Sequence, residues 1–123
     1  MSNWLRDYYT SVDDMDLDGY LARHTDDAVV KFGNNPPAVG KAQIGEAIGG
    51  FFSTVGGMRH HFVAVHEAGD TTILEADIEY TRLDGTKVHV PSASILHRRG
   101  DLVDELRIYI DVAPVFEPGL SAV

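Results

Sequence analysis

Six histidines, five tyrosines and no cysteine set out the chemistry open to this 123-residue chain. The pair His60-His61 stands where an apolar helical pattern gives way to a strand-like one. Neighbouring strand residues point to opposite faces, so only one of the two enters an interior. Phe62 and Ala64 read as core-filling residues, which places His60 on their side. An inward imidazole beside an apolar pocket titrates near neutrality and serves as general acid or base. Tyr8, on an amphipathic helical stretch, offers a phenolic O–H to a ligand carbonyl, as oxyanion-hole donors do. His60 and Tyr8 are therefore the candidate catalytic pair. The remaining histidines, at 24, 66, 89 and 97 besides His61, fall on separate segments. None has the i, i+2 or i, i+4 spacing with an acidic partner that marks a metal site, so no metal ligand is assigned. Absence of cysteine excludes thiolate nucleophiles, thiolate zinc sites and disulfides, and no cofactor is expected.

These groups need elements to position them. Trp4, Leu5, Tyr8, Tyr9 and Val12 recur at helical spacing, and Asp13-Asp14-Met15-Asp16 interrupts the pattern with N-cap residues for a second short helix bearing Leu17, Tyr20 and Leu21. Thr25-Asp26-Asp27 ends that helix, and Ala28 to Phe32 reads as a short strand. Gly33-Asn34-Asn35-Pro36-Pro37 is a turn, whose Asn34 is placed at the mouth of a pocket. Ile44, Ala47, Ile48, Phe51, Phe52 and Val55 define a third helix, closed by Gly56-Gly57. Four strand-like segments follow, 60–66, 72–82, 87–98 and 102–112, separated by tight turns.

Alternation then sorts the side chains. Leu74, Ala76, Ile78 and Tyr80 share one face, and Glu75, Asp77, Glu79 and Thr81 the other. Leu106, Ile108 and Ile110 point inward on the last strand, and Ser94 is an inward polar group on the one before it. Trp4, Phe32, Phe52, Tyr80, Ser94, Leu106 and Ile108, with Asn34, make the expected substrate-binding set. The expected fold is α+β: a cone of three N-terminal helices packed on a strongly curved, mostly antiparallel mixed sheet, with residues 1–117 as one domain and 118–123 as a tail.

Net charge is −9, from 19 acidic and 10 basic residues. Such a field repels phosphate backbones and anionic bilayers, so nucleic acid and membrane are not expected partners. A small hydrophobic molecule is the expected ligand, and the outer acidic stripe the expected homodimer face. The start of the chain lacks the basic-then-apolar order of a signal peptide, giving a cytoplasmic expectation.

The element order, with Asp16-Leu17-Asp18-Gly19, Thr25-Asp26-Asp27-Ala28-Val29-Val30, Gly40-Lys41 and Arg107-Ile108-Tyr109-Ile110-Asp111, resembles the nuclear transport factor 2-like superfamily and, within it, the SnoaL-like proteins. The resemblance implies a cystatin-like fold around a pocket and an activity among isomerases, dehydratases, hydrolases, cyclases and non-catalytic binders. Tyr8 matches the oxyanion-hole Tyr of ketosteroid isomerases, while their general base falls on Phe32 and their second acid near Ser94. The final-strand Asp of limonene-epoxide hydrolases falls on Ile108, and their neighbouring Arg and Asp fall near Ala76 to Glu79. Asp77 supplies one carboxylate there, with no Arg beside it. The resemblance thus implies SnoaL-like, cofactor-free acid/base chemistry, a cyclase, isomerase or dehydratase. Its alternatives are a non-catalytic binder of a hydrophobic metabolite and a dimeric interaction module.

Overall fold

A computed structural model describes residues 3–116; the expected tail, 118–123, lies outside the described residues. Helix α1 spans Trp4–Asp13 and α2 spans Leu17–Ala22. Met15 joins them with a left-handed backbone (φ 52°), a conformation that costs a non-glycine residue energy and turns the chain sharply. Asp16 then caps α2 by accepting a hydrogen bond from the Gly19 N–H at 3.1 Å. Replacing Asp16 by Ala should cost about 1 kcal/mol of stability, read as a lower urea midpoint at unchanged slope.

Strand β1 (His24–Phe32) pairs with a two-residue strand β2 (Ala38–Val39), and α3 (Gly40–Phe52) follows. Four long strands complete the sheet: β3 (Gly57–Ala68), β4 (Thr71–Thr81), β5 (Lys87–Arg99) and β6 (Leu102–Ile110). A four-residue helix α4 (Ala113–Phe116) ends the described chain. The strand order is β2-β1-β6-β5-β4-β3, antiparallel except for the parallel pair β1–β6. Leu5, Tyr8, Ile44, Leu74, Leu96 and Leu106 form the centre of the core between helices and sheet.

The α+β class and the mixed, mostly antiparallel sheet are found; the cone of three N-terminal helices on a strongly curved sheet is not. Only α1 and α2 precede the first strand, because α3 follows β2 as the crossover toward β3. The sheet is open, with β2 and β3 as its two edges, and it is not strongly curved. Its central pair explains this: β4 and β5 run in register from Thr71 against His97 to Thr81 against Lys87 without a bulge. Strong bending needs bulges within such a ladder. The bulges fall instead at Val63 in β3 and at Asp104 in β6, opposite His97 and Arg98.

The bulge at Val63 corrects one inward assignment. Before it, Met58, His60 and Phe62 pair with Tyr80, Ile78 and Ala76. After it, Ala64 pairs with the outward Glu75, and Val65 takes the inward place opposite Leu74. One boundary differs as well. Thr25-Asp26-Asp27 lies inside β1, whose pairing with β6 shifts register between His24 and Val29. Arg82, the residue after β4, is buried. Its guanidinium donates to the carbonyls of Pro114 (2.7 Å) and Val115 (3.0 Å), pinning α4 to the end of β4.

Candidate active site

Inward-facing strand residues and the apolar sides of the helices enclose a cavity of about 40 Å³. Of the sequence-predicted residues, Tyr8, Phe32, Phe52, His60, Tyr80, Ser94, Leu106 and Ile108 stand on its wall. Trp4 and Asn34 do not. Trp4 packs at the start of α1, under the guanidinium of Arg98 at 4.1 Å. Asn34 sits exposed in the β1–β2 turn, beside a separate depression with Lys31 and Arg107. Tyr9, Val12, Tyr20, Ile48, Phe51, Met58 and Ile78 complete the wall.

His60 enters from β3, on the same face as Met58. Its Nδ1 lies 2.6 Å from Asp13 Oδ1, and its backbone N–H donates to Asp13 Oδ2 at 3.0 Å. An ionised carboxylate only accepts, so the ring proton sits on Nδ1 and the Nε2 lone pair is left free. Nε2 has no hydrogen-bond partner among the described residues. The His60 side chain is 9% exposed and that of Asp13 23%, so the pair is shielded but reachable. Asp13 is the last residue of α1, where the helix dipole disfavours a carboxylate. The two hydrogen bonds from His60 offset that cost. Asp13 was not assigned a site role from the sequence, where it reads as a helix breaker. The available signal was its spacing from Tyr9: four residues apart, both lie on one helical face.

Tyr8 is placed differently from the simple donor expected. Its ring lines the cavity, while its hydroxyl lies 2.9 Å from His24 Nε2. His24 Nδ1 is 2.8 Å from the Tyr20 carbonyl, which can only accept. Nδ1 therefore carries the proton, Nε2 accepts, and the Tyr8 O–H donates to it. Burial pushes the His24 pKa down to about 4, so the ring is neutral at pH 7. Burial, reinforced by neighbouring Tyr20 and Tyr9, pushes the Tyr8 phenol well above its ordinary range. The Tyr8 proton is committed to a structural bond.

Other donors face the cavity. Desolvation raises the Tyr80 phenol, with the charge of Asp13 adding to it, so Tyr80 keeps its proton. Its hydroxyl makes no hydrogen bond among the described residues. Tyr9 is also raised by burial, with the Ser94 hydroxyl acting in the opposite direction. Its ring lies 4.7 Å from that of His60. The arrangement is a base with a fixed tautomer, facing an apolar space with phenolic donors.

The charged residues of β4 and β6, and Asp111 after them, are outside this space. Asp77 pairs with His89 (2.6 Å), Glu79 with Lys87 (3.2 Å), and Arg107 with Glu105 (2.7 Å), all on the outer sheet face. Asp111 accepts from the Ala113 N–H and caps α4. Among the described residues, no group of three or more histidines or carboxylates is placed to hold a metal ion. Among the described residues, no helix is long and apolar enough to cross a membrane.

Comparisons with known proteins agree on the fold. An NTF2-like protein from Burkholderia pseudomallei superposes with a TM-score of 0.82 at 17% identity, over 94% of this chain and 96% of that one. TerC, crystallised with polyporic acid, gives 0.78 at 21% identity, over 93% of each chain. An LEH-like epoxide hydrolase from M. tuberculosis gives 0.76 at 15% identity, over 93% of this chain and 84% of that one. No curated protein matches the chain. The model of the SnoaL-like domain matches residues 5–106, and the chain belongs to that family.

Proposed function

We infer that the chain is a cofactor-free small-molecule enzyme, and that His60 is its general base. The observation that carries this reading is the Asp13–His60 pair on the wall of an apolar cavity. His60 Nε2 removes a proton from a carbon next to a carbonyl, and the electron pair moves onto the carbonyl oxygen as an enolate. The Tyr80 O–H donates to that oxygen, in the role first assigned to Tyr8. The imidazolium, steadied by Asp13, then returns the proton at another position, or gives it to a departing hydroxyl. The first course is isomerisation and the second dehydration; ring closure results where the enolate carbon instead attacks a second carbonyl of the substrate and the imidazolium protonates the alkoxide so formed. Family membership supports the reading, since the chain shares its domain with SnoaL-like proteins.

The resting cavity is small. About 40 Å³ admits only a few water-sized positions, against roughly 300–1,000 Å³ for pockets that bury a drug-sized ligand. The substrate therefore enters with a narrow end, or the half-buried Phe51 and Phe52 turn aside. Deuterium wash-in tests the chemistry without knowledge of the natural substrate. In D₂O, a panel of small enolisable ketones should gain deuterium at the α-carbon with the protein and not with a His60→Gln variant. Equal exchange by both proteins would overturn the assignment.

We also propose that two copies associate through the outer sheet face. Tyr109 (56% exposed) and Ile73 (40% exposed) stand on it among the ion pairs of Asp77, Glu79 and Arg107. An apolar patch rimmed by charge is the usual composition of a subunit contact. Sedimentation should report a dimer for the natural chain and a monomer for Ile73→Glu; a monomeric natural chain at high concentration would refute the contact.

A further inference from the structure

A second depression, of about 430 Å³, lies outside the cavity and shares Tyr9, Met58 and His60 with its wall. His60 thus stands between a small apolar interior and a larger polar groove. The groove carries Arg6 and Arg59, and neither guanidinium has an ion-pair or hydrogen-bond partner among the described residues. Each of the acidic side chains that pairs elsewhere finds its base on another surface. Asp27 takes Arg99, Glu105 takes Arg107, and Asp26 takes Lys41.

Arg6 is held in a particular way. Its guanidinium carbon lies 4.1 Å above the Phe62 ring centroid, and Phe62 follows His60 by two residues on the inward side of β3. Stacking occupies the face of the guanidinium and fixes its plane, while its N–H groups project from the edge. That edge matches a carboxylate, which accepts two parallel N–H bonds. Two carboxylates also line the groove. Asp13 is engaged by His60, and Asp14, exposed at the end of α1, opposes an incoming anion.

We propose that the groove binds the carboxylate of a small unsaturated acid whose apolar end enters the cavity. Arg6 is the anchor, and Arg59, outward on β3 opposite Glu79, adds a second positive charge at the rim. This deepens the reading of His60 as a base and rests on it for the chemistry, though not for the binding. The local pair of arginines is needed because a net charge of −9 otherwise repels such a ligand. It also fits the geometry: a carboxylate held outside His60 leaves the rest of the ligand to pass the imidazole into the cavity, where a second carbonyl beside the reacting carbon meets Tyr80.

Crotonate and crotonamide, equal in shape and different in charge, separate the possibilities when titrated by NMR at low ionic strength. The natural protein should bind crotonate roughly tenfold more tightly than the amide, as expected of hydrogen bonds to a charged group. The preference should shrink with added salt, disappear in Arg6→Gln/Arg59→Gln, and grow in Asp14→Asn. Arg59→Gln alone, at an exposed site away from the Phe62 contact, should lower it without disturbing the fold. Equal binding of acid and amide, no binding of either at tens of millimolar, or a preference that survives the double substitution would each overturn the proposal. His60→Gln keeps the two readings apart. Retained crotonate preference with unchanged deuterium exchange sinks the base and leaves the groove, whereas lost preference in the arginine variants with exchange abolished by His60→Gln supports both.

Discussion

Replacing His60 by Gln is expected to lower turnover by about 10²- to 10⁴-fold, the usual contribution of a positioned general base. Among the described residues of the cavity wall, the imidazole is the one ring-nitrogen base, and its Nε2 has no hydrogen-bond partner. Tyr9, Tyr20 and Tyr80 hold their protons because burial raises all three. His60→Ala leaves a space where the ring stood, and imidazole in the medium should restore part of the rate. A purely structural role for His60 would give no such rescue. Asp13→Asn is the companion experiment. An asparagine amide can donate to Nδ1, which moves the ring proton to Nε2 and removes the base. A loss on the order of 10²-fold or more in kcat, with KM little changed, marks Asp13 as a positioning residue. Thermal melts of each variant check that the rate effect is not unfolding, because Asp13 also accepts from the backbone N–H of His60. If Asp13→Asn retains full turnover, the tautomer argument fails even where His60 matters.

How much of this was legible beforehand follows from the range of each interaction. The inward face of β4 could be read from alternation alone, since Leu74, Ala76, Ile78 and Tyr80 are all buried and its ladder to β5 is unbroken. The same rule slipped by one residue beyond Val63, because no local signal announces a bulge there. Asp16 could be read as a cap because its partner is three residues away. Asp13 could not be read as the partner of His60, because 47 residues separate them and only the packing of α1 on β3 closes the distance. Tyr8 shows the same limit from the other side. Its place on the apolar stripe was evident, whereas the aim of its hydroxyl depends on His24, sixteen residues away on β1. The openness of the sheet also lay beyond the sequence, since strand number and length do not specify bending.

Lowering the pH from 7 to 4.5 is expected to destabilise the protein through His24. The ring is fully buried, donates to the Tyr20 carbonyl and accepts from Tyr8, which leaves no place for a second proton. Its pKa falls from an ordinary 6.5 to about 4 in the folded chain, chiefly by desolvation. As pH drops below 6.5, the unfolded chain therefore binds a proton that the folded chain refuses. Stability is complete above about pH 6.5 and declines by up to about 1.4 kcal/mol per pH unit until the folded pKa, roughly 3 kcal/mol in all. Asp27 and Glu79, both held low by their basic partners, act in a different window. A depressed carboxylate contributes stability above its unfolded pKa, ordinarily 3.8 for Asp27 and 4.5 for Glu79, and loses it as pH falls from there through the lower folded value. Urea denaturation of the natural chain and of His24→Gln across pH 4.5 to 7 isolates this histidine by difference, since the other five are common to both. His24→Gln supplies one donor and one acceptor in place of the imidazole and cannot titrate. It should unfold more readily at pH 7 and show a much flatter dependence between 4.5 and 6.5. A natural chain with a flat profile over that interval, or a glutamine variant with an equal slope, would mean that the Tyr8–His24–Tyr20 chain of hydrogen bonds admits the proton. The Tyr8 hydroxyl would then be released toward the cavity in acid, and a donor that is locked at neutral pH would become available to a ligand.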